Sequence, residues 1–165
     1  MHYSLTLSGQ APWPALLISS AFAPGTEPGD PCWPVLMAHL KMLRDRGRRA
    51  VRIVDVHCAD GALLIHAARE AHSLGFLSVE CLGTDVDRDD IEEARWRSQL
   101  LRDTAIGLEF EVGEAIGRLE AEADFPADVV LFQGSAGASK AFRQAAKRAG
   151  RLVLAKSCSA REQDS

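Results

Sequence analysis

Between Val51 and Arg95 the chain reads Val51-Arg-Ile-Val-Asp55, then Val56-His57-Cys58-Ala59-Asp60-Gly61, then a helical pattern, then Cys81-Leu-Gly-Thr-Asp85-Val-Asp87. An apolar strand ending in an acid, a tight bend with one glycine, a helix and a second strand ending in another acid are the parts of a βαβ unit in their order. Two parallel strands need such a crossover, and their shared direction brings both carboxyl ends to one edge of the sheet. The bend from Asp55 to Gly61 and the acid Asp85 are therefore expected to face one ligand crevice.

The alternation continues on both sides of this unit. Leu36, Leu40 and Leu43 recur at helical spacing after Pro34, which predicts a helix from Pro34 to about Arg46 that feeds the first strand. Asp87 to Asp90 caps a helix expected to carry Ile91, Ala94, Leu100 and Leu101. Leu108 to Val112 alternates as a strand, Glu114 to Glu122 reads as a short helix, and Ala127 to Phe132 is a continuous apolar strand. A helix from about Ser139 to Ala149 leads through Gly150 into a fifth strand, Leu152 to Ala155. Five β units joined by helices predict an α/β fold, a doubly wound, mostly parallel five-stranded sheet of order 3-2-1-4-5 with helices on both faces.

Six of the seven prolines lie between Pro12 and Pro34. Proline removes a donor and fixes φ, so residues 1–33 are read as an extended arm, 34–157 as the Rossmann-like domain and 158–165 as a polar tail. Ser4 to Leu7 and Ala15 to Ser19 could pair as a hairpin in that arm. Trp13, Phe22 and Trp33 are expected to anchor it on the domain, with a lid over the crevice as the alternative.

Length and charge narrow the function classes. At 165 residues one domain can bury roughly 70% of its unfolded surface, with no disulfide or metal staple required. A formal net charge of -4 argues against nucleic-acid binding by bulk electrostatics. Arg44, Arg46, Arg48, Arg49 and Arg52 form a local cationic cluster, read as a solvated face at a helix end. The N-terminus lacks a signal-peptide pattern, and no apolar run approaches the ~18 residues of a membrane span. Cys32, Cys58, Cys81 and Cys158 show no CxxC spacing, and three are read as lying within apolar, strand-like runs, which suits a reducing cytoplasm.

At the crevice, Gly61 is expected to let backbone approach a ligand at a helix start, whose free amides can hold an anionic group. Asp85 suits a ribose, because one carboxylate can accept from both vicinal hydroxyls. A dinucleotide is disfavoured: a GxGxxG frame set at position 57 finds His57, Ala59 and Ala62, and one set at 59 finds Ala59, Gly61 and Leu64. A nicotinamide oxidoreductase is thus a weak rival. A ribose-bearing ligand without phosphates fits better. His57, Cys58 and Asp60 do not complete a zinc spacing with His66 or His72, so no metal is expected, and His66 is read as a packed or half-exposed side chain.

At these residues the sequence resembles the class I S-adenosylmethionine-dependent methyltransferases. Their first motif is similar to Asp55-Val-His57-Cys58-Ala59-Asp60-Gly61, their second to Gly83-Thr-Asp85-Val86-Asp87, and their third to Phe110-Glu-Val-Gly113-Glu114-Ala115. The resemblance spans about Pro34 to Lys156. It implies that S-adenosylmethionine is the cofactor, with Asp55, His57, Ala59 and Gly61 around its methionine end, Asp85 on the ribose, Val86 on adenine, and Glu114 and Ala115 at the adenine edge. His57 and Ala59 stand where the family has glycines, and Glu114 where it more often has Asp. Gln133 and Ser135, after the fourth strand, are the candidates for facing a small-molecule acceptor. The implied reaction is displacement at a sulfonium methyl, in which alignment of the acceptor matters most and no dedicated nucleophile is needed. The alternative is a non-catalytic member that keeps the fold and binds cofactor or a partner. The family usually adds strands six and seven; here the fifth strand is expected to be an edge, covered by the arm or by a second subunit as a homodimer.

Overall fold

The computed structural model describes residues 29–156. Helix α1 spans Trp33–Asp45, strand β1 Ala50–Asp55, α2 Ala62–Ser73, β2 Ser78–Asp85, α3 Arg88–Ser98 and β3 Ile106–Val112. They are followed by α4 Ala115–Glu122, β4 Ala127–Gln133, a 3-10 turn Gly134–Ala138, α5 Lys140–Ala149 and β5 Gly150–Lys156. All four strand pairings are parallel, in the order β3-β2-β1-β4-β5. The doubly wound sheet expected from the alternation is the one observed. The expectations for residues 1–28 and 157–165, including the hairpin, Trp13, Phe22 and Cys158, lie outside the described residues.

Strand alternation divides the core in two. Val51, Ile53, Val79, Cys81, Phe110, Val129 and Leu131 point to the face covered by α1, α2 and α3. Val54, Leu82 and Val130 point to the face covered by α4 and α5. β4 is buried from Ala127 to Leu131, which is why it reads as an unbroken apolar run: a central parallel strand meets helices on both sides. Trp33 is the first residue of α1 and buried, its ring 4.8 Å from that of His66, so it anchors the start of the described chain in the core and His66 is a packed histidine.

Three local expectations are corrected. α3 stops at Ser98, short of Leu100 and Leu101: Leu100 is exposed, and Leu101 reaches the core from the connection to β3. Asp87 caps α3 as expected, accepting from Asp89 N and Asp90 N. Of the three cysteines among the described residues, only Cys81 lies in a strand; Cys32 precedes α1 and Cys58 sits in the bend after β1, though all three are buried free thiols. The arginine cluster is more than a solvated face. Arg48 pairs with the buried Asp128 at 3.0 Å, Arg52 and Arg118 pair with the buried Glu122, and Arg44 donates to Leu74 O and lies over the Phe76 ring. Two acids buried at the amino edge of the sheet need cationic partners, and the cluster supplies them. No helix among the described residues is long and apolar enough to cross a membrane.

Candidate functional site

The carboxyl ends of all five strands are tied to the bend between β1 and α2. Asp55, fully buried, closes β1. The chain then turns through Cys58, whose N–H donates to Thr84 O, and Ala59, whose N–H donates to the Asp85 carboxylate at 2.9 Å. Gly113 N donates to Asp85 O at 2.9 Å, which draws in the end of β3. On the other side, Gln133 N at the end of β4 donates to His57 Nδ1 at 3.4 Å. The sequence-predicted residues Asp55, His57, Ala59, Gly61, Asp85 and Gln133 are thus brought to one edge, with Val86 and Glu114 in the loops beside them, Ala115 opening α4 and Ser135 in the 3-10 turn.

The bend keeps the shape of a glycine turn with few glycines. Ala59 adopts φ 47°, the one left-handed non-glycine among the described residues, at a position where the family motif has glycine. Gly61 has φ 71°. A Cβ there would lie 2.7 Å from the Phe110 ring and 2.9 Å from Ala94, so this glycine admits close helix–sheet packing. Gly83 is constrained in the same way, 2.5 Å from Phe110 and 2.9 Å from Cys58 Sγ.

Several amides of the bend, and the first of α2, find acceptors within the chain. His57 N donates to Asp55 Oδ1, Ala59 N to Asp85, Gly61 N to Cys58 O and Ala62 N to Asp60 Oδ1. Three carboxylates, those of Asp55, Asp60 and Asp85, thus accept from amides of the bend and the helix start. Asp60 is held further by Arg97 of α3 at 2.7 Å.

The residue that sequence reasoning missed is Lys156, the last of β5. Its Nζ donates to both oxygens of Asp55 at 2.7 Å and to His57 O at 2.6 Å, crossing the end of β4 to do so. Its side chain is nearly buried. In sequence it looked like the polar residue after an apolar strand; only the strand order reveals its partner.

His57 is half buried, its ring 5.8 Å from that of Phe142. Burial lowers its pKa from the usual histidine value, against the pull of Asp55 and Asp85. The neutral ring accepts at Nδ1, so its proton sits on Nε2, and toward a ligand it offers an N–H donor. Burial also raises the pKa of the Cys58 thiol well above the ordinary value, which makes it a packed side chain and not a nucleophile. Among the described residues no cluster of His, Cys, Asp and Glu has the arrangement of a metal site.

The two halves of the edge differ chemically. Around Asp85 the carboxylate is half exposed, Val86 is 60% exposed, Val112 and Ile116 are exposed apolar neighbours in sequence of the third loop, and Glu114 begins α4 without capping it by its side chain. Unspent carboxylate lone pairs, an open apolar surface and free first-turn amides suit a nucleoside. Around Asp55 the carboxylate is already spent on Lys156.

No family model and no curated protein matches the sequence. Solved structures do resemble the fold. A Listeria monocytogenes protein provisionally assigned as a class I S-adenosylmethionine-dependent methyltransferase superposes with a TM-score of 0.53 and 19% identity, covering 72% of this chain and 42% of that one. Magnesium protoporphyrin IX methyltransferase from Synechocystis PCC 6803, solved with S-adenosylhomocysteine bound, gives 0.49 and 15% over 73% of this chain and 53% of that one. The chain spans about half the length of these two proteins. Strand order, placement of helices on both faces and the first superposition agree: this chain has the Rossmann-like fold of the class I S-adenosylmethionine-dependent methyltransferases.

Proposed function

We propose that the crevice binds S-adenosylmethionine and that the chain transfers a methyl group to a small-molecule acceptor. The observation that supports this reading is the setting of Asp85. Its Oδ2 accepts from Ala59 N and its Oδ1 from Asp87 N, which leaves about two of its four lone-pair sites for a pair of ribose hydroxyls. Val86 then offers an apolar surface to adenine, and the turn at Glu114 and Ala115 offers backbone amides to its edge. His57 and Asp55 lie toward the amino-acid arm, with Gln133 and Ser135 on the acceptor side.

When bound, the cofactor supplies a methyl group already activated on a sulfonium. The chain's own residues orient the two reactants and keep them close, a role for which the Arg97–Asp60 and Ala59–Asp85 ties hold the bend still. His57, with its proton on Nε2, positions by donating and does not withdraw a proton at that atom.

A second reading is favoured by one observation, the capture of Asp55 by Lys156: a methyltransferase-fold protein that binds the nucleoside without turnover. Calorimetric titration of the full chain with S-adenosylmethionine, S-adenosylhomocysteine and NAD, followed by a methyl-acceptor panel, separates the readings. Sulfur-cofactor binding with turnover supports the first and binding without turnover the second; preference for NAD overturns both. Asp85→Ala is expected to weaken S-adenosylhomocysteine at least tenfold, and unchanged affinity would remove the ribose assignment.

A further inference from the structure

Asp55 is fully buried at the end of β1, beside the point where the strand order reverses between β1 and β4. A carboxylate taken out of water needs a cation or several donors. This chain supplies one itself. The ammonium of Lys156 has three N–H donors, and three acceptors lie within 2.7 Å: both Asp55 oxygens and His57 O. A second bridge runs nearby, from Gln133 N to His57 Nδ1. The switch point is spanned twice by side chains, while the crevice around Asp85 and Val86 stays open.

We propose that Lys156 is a specificity-determining residue of this crevice: it holds Asp55 as a ligand's own cationic end would, so the site takes a neutral adenosine-type nucleoside as readily as one carrying an amino-acid arm. The proposal rests on the nucleoside reading of Asp85. A ligand bearing an α-ammonium gains Asp55 only by displacing Lys156, exchanging one cation for another, so the arm adds little affinity. A sulfonium adds a further positive charge to the same place.

The test compares adenosine, S-adenosylhomocysteine and S-adenosylmethionine by calorimetry on the full chain and two variants. In the unaltered chain, adenosine and S-adenosylhomocysteine are expected to bind within about threefold of each other. Lys156→Met frees Asp55 while keeping an unbranched side chain one atom shorter, and should tighten S-adenosylhomocysteine at least tenfold while leaving adenosine unchanged. Asp55→Asn leaves the Lys156 ammonium without its counter-charge, so it should weaken S-adenosylmethionine at least tenfold relative to adenosine. The second variant decides the matter if the first does not fold, and the sign of its effect is opposite. Equal changes for all three ligands overturn the role of Lys156 while leaving the nucleoside site standing. Binding of none of them by the unaltered chain overturns the site reading and this inference with it.

Discussion

Ala59 holds φ 47°, where an L side chain costs about 1–2 kcal/mol, and the bond from its N–H to Asp85 keeps it there. Ala59→Gly relieves that cost at the expense of a looser unfolded chain, so the folded state should gain up to about 1 kcal/mol, read as a higher urea midpoint. His57 contributes in a different way. Burial holds its pKa, and those of His39 and His66, below the ordinary histidine value. A lowered folded pKa means that the unfolded chain binds more protons. The stability from neutral imidazoles is therefore complete above about pH 6.5 and lost as pH falls through the lowered values. Denaturant midpoints should drop between about pH 7.5 and about pH 5.5, and His57→Gln, which cannot titrate, should show a smaller drop. The acids Asp55 and Asp85 were legible in the sequence because strand-end acids stand out after apolar runs. Lys156 was not, since its partner lies 101 residues away and no local pattern encodes that contact.

At the scale of elements, β4 announces itself as an apolar run because it is covered on both faces from Ala127 to Leu131. The end of α3 was misread because Leu100 and Leu101 continue an apolar rhythm past Gln99, where the helix has already turned. The glycines were harder still. Sequence shows that Gly61 and Gly83 lack side chains, but not that Phe110 of β3 fills the space above both, wedged against α2 and α3. Gly83→Ala would place a methyl 2.5 Å from that ring and 2.9 Å from Cys58 Sγ. The expected cost is about 1–3 kcal/mol, and adding Phe110→Leu should recover part of it by opening the slot. Thermal melts of the single and double variants check this; a double variant less stable than the sum of the two singles would rule the wedge out.

For the whole molecule, the sheet separates its tasks by edge. Buried Glu122 and Asp128, with Arg52, Arg118 and Arg48, brace the amino ends of the strands, and the bend from Asp55 to Gly61 gathers the carboxyl ends. Among the described residues β5 pairs with β4 alone, so its outer side presents unpaired backbone groups. Our reading is that residues 1–28 or a second copy of the chain cover it. Sedimentation of the full chain is then expected to show either a dimer or a monomer that dimerises once residues 1–28 are removed. A strict monomer in both forms contradicts the cover. Lys156 gives this rim an additional property. Peripheral strands ordinarily peel first, yet this one is stitched by its final side chain to the centre of the sheet, so shedding it would rupture an ion pair beneath the crevice. Whatever draws that lysine away therefore loosens the last tie of the border strand as it enters, leaving its ladder with β4 to hold the margin.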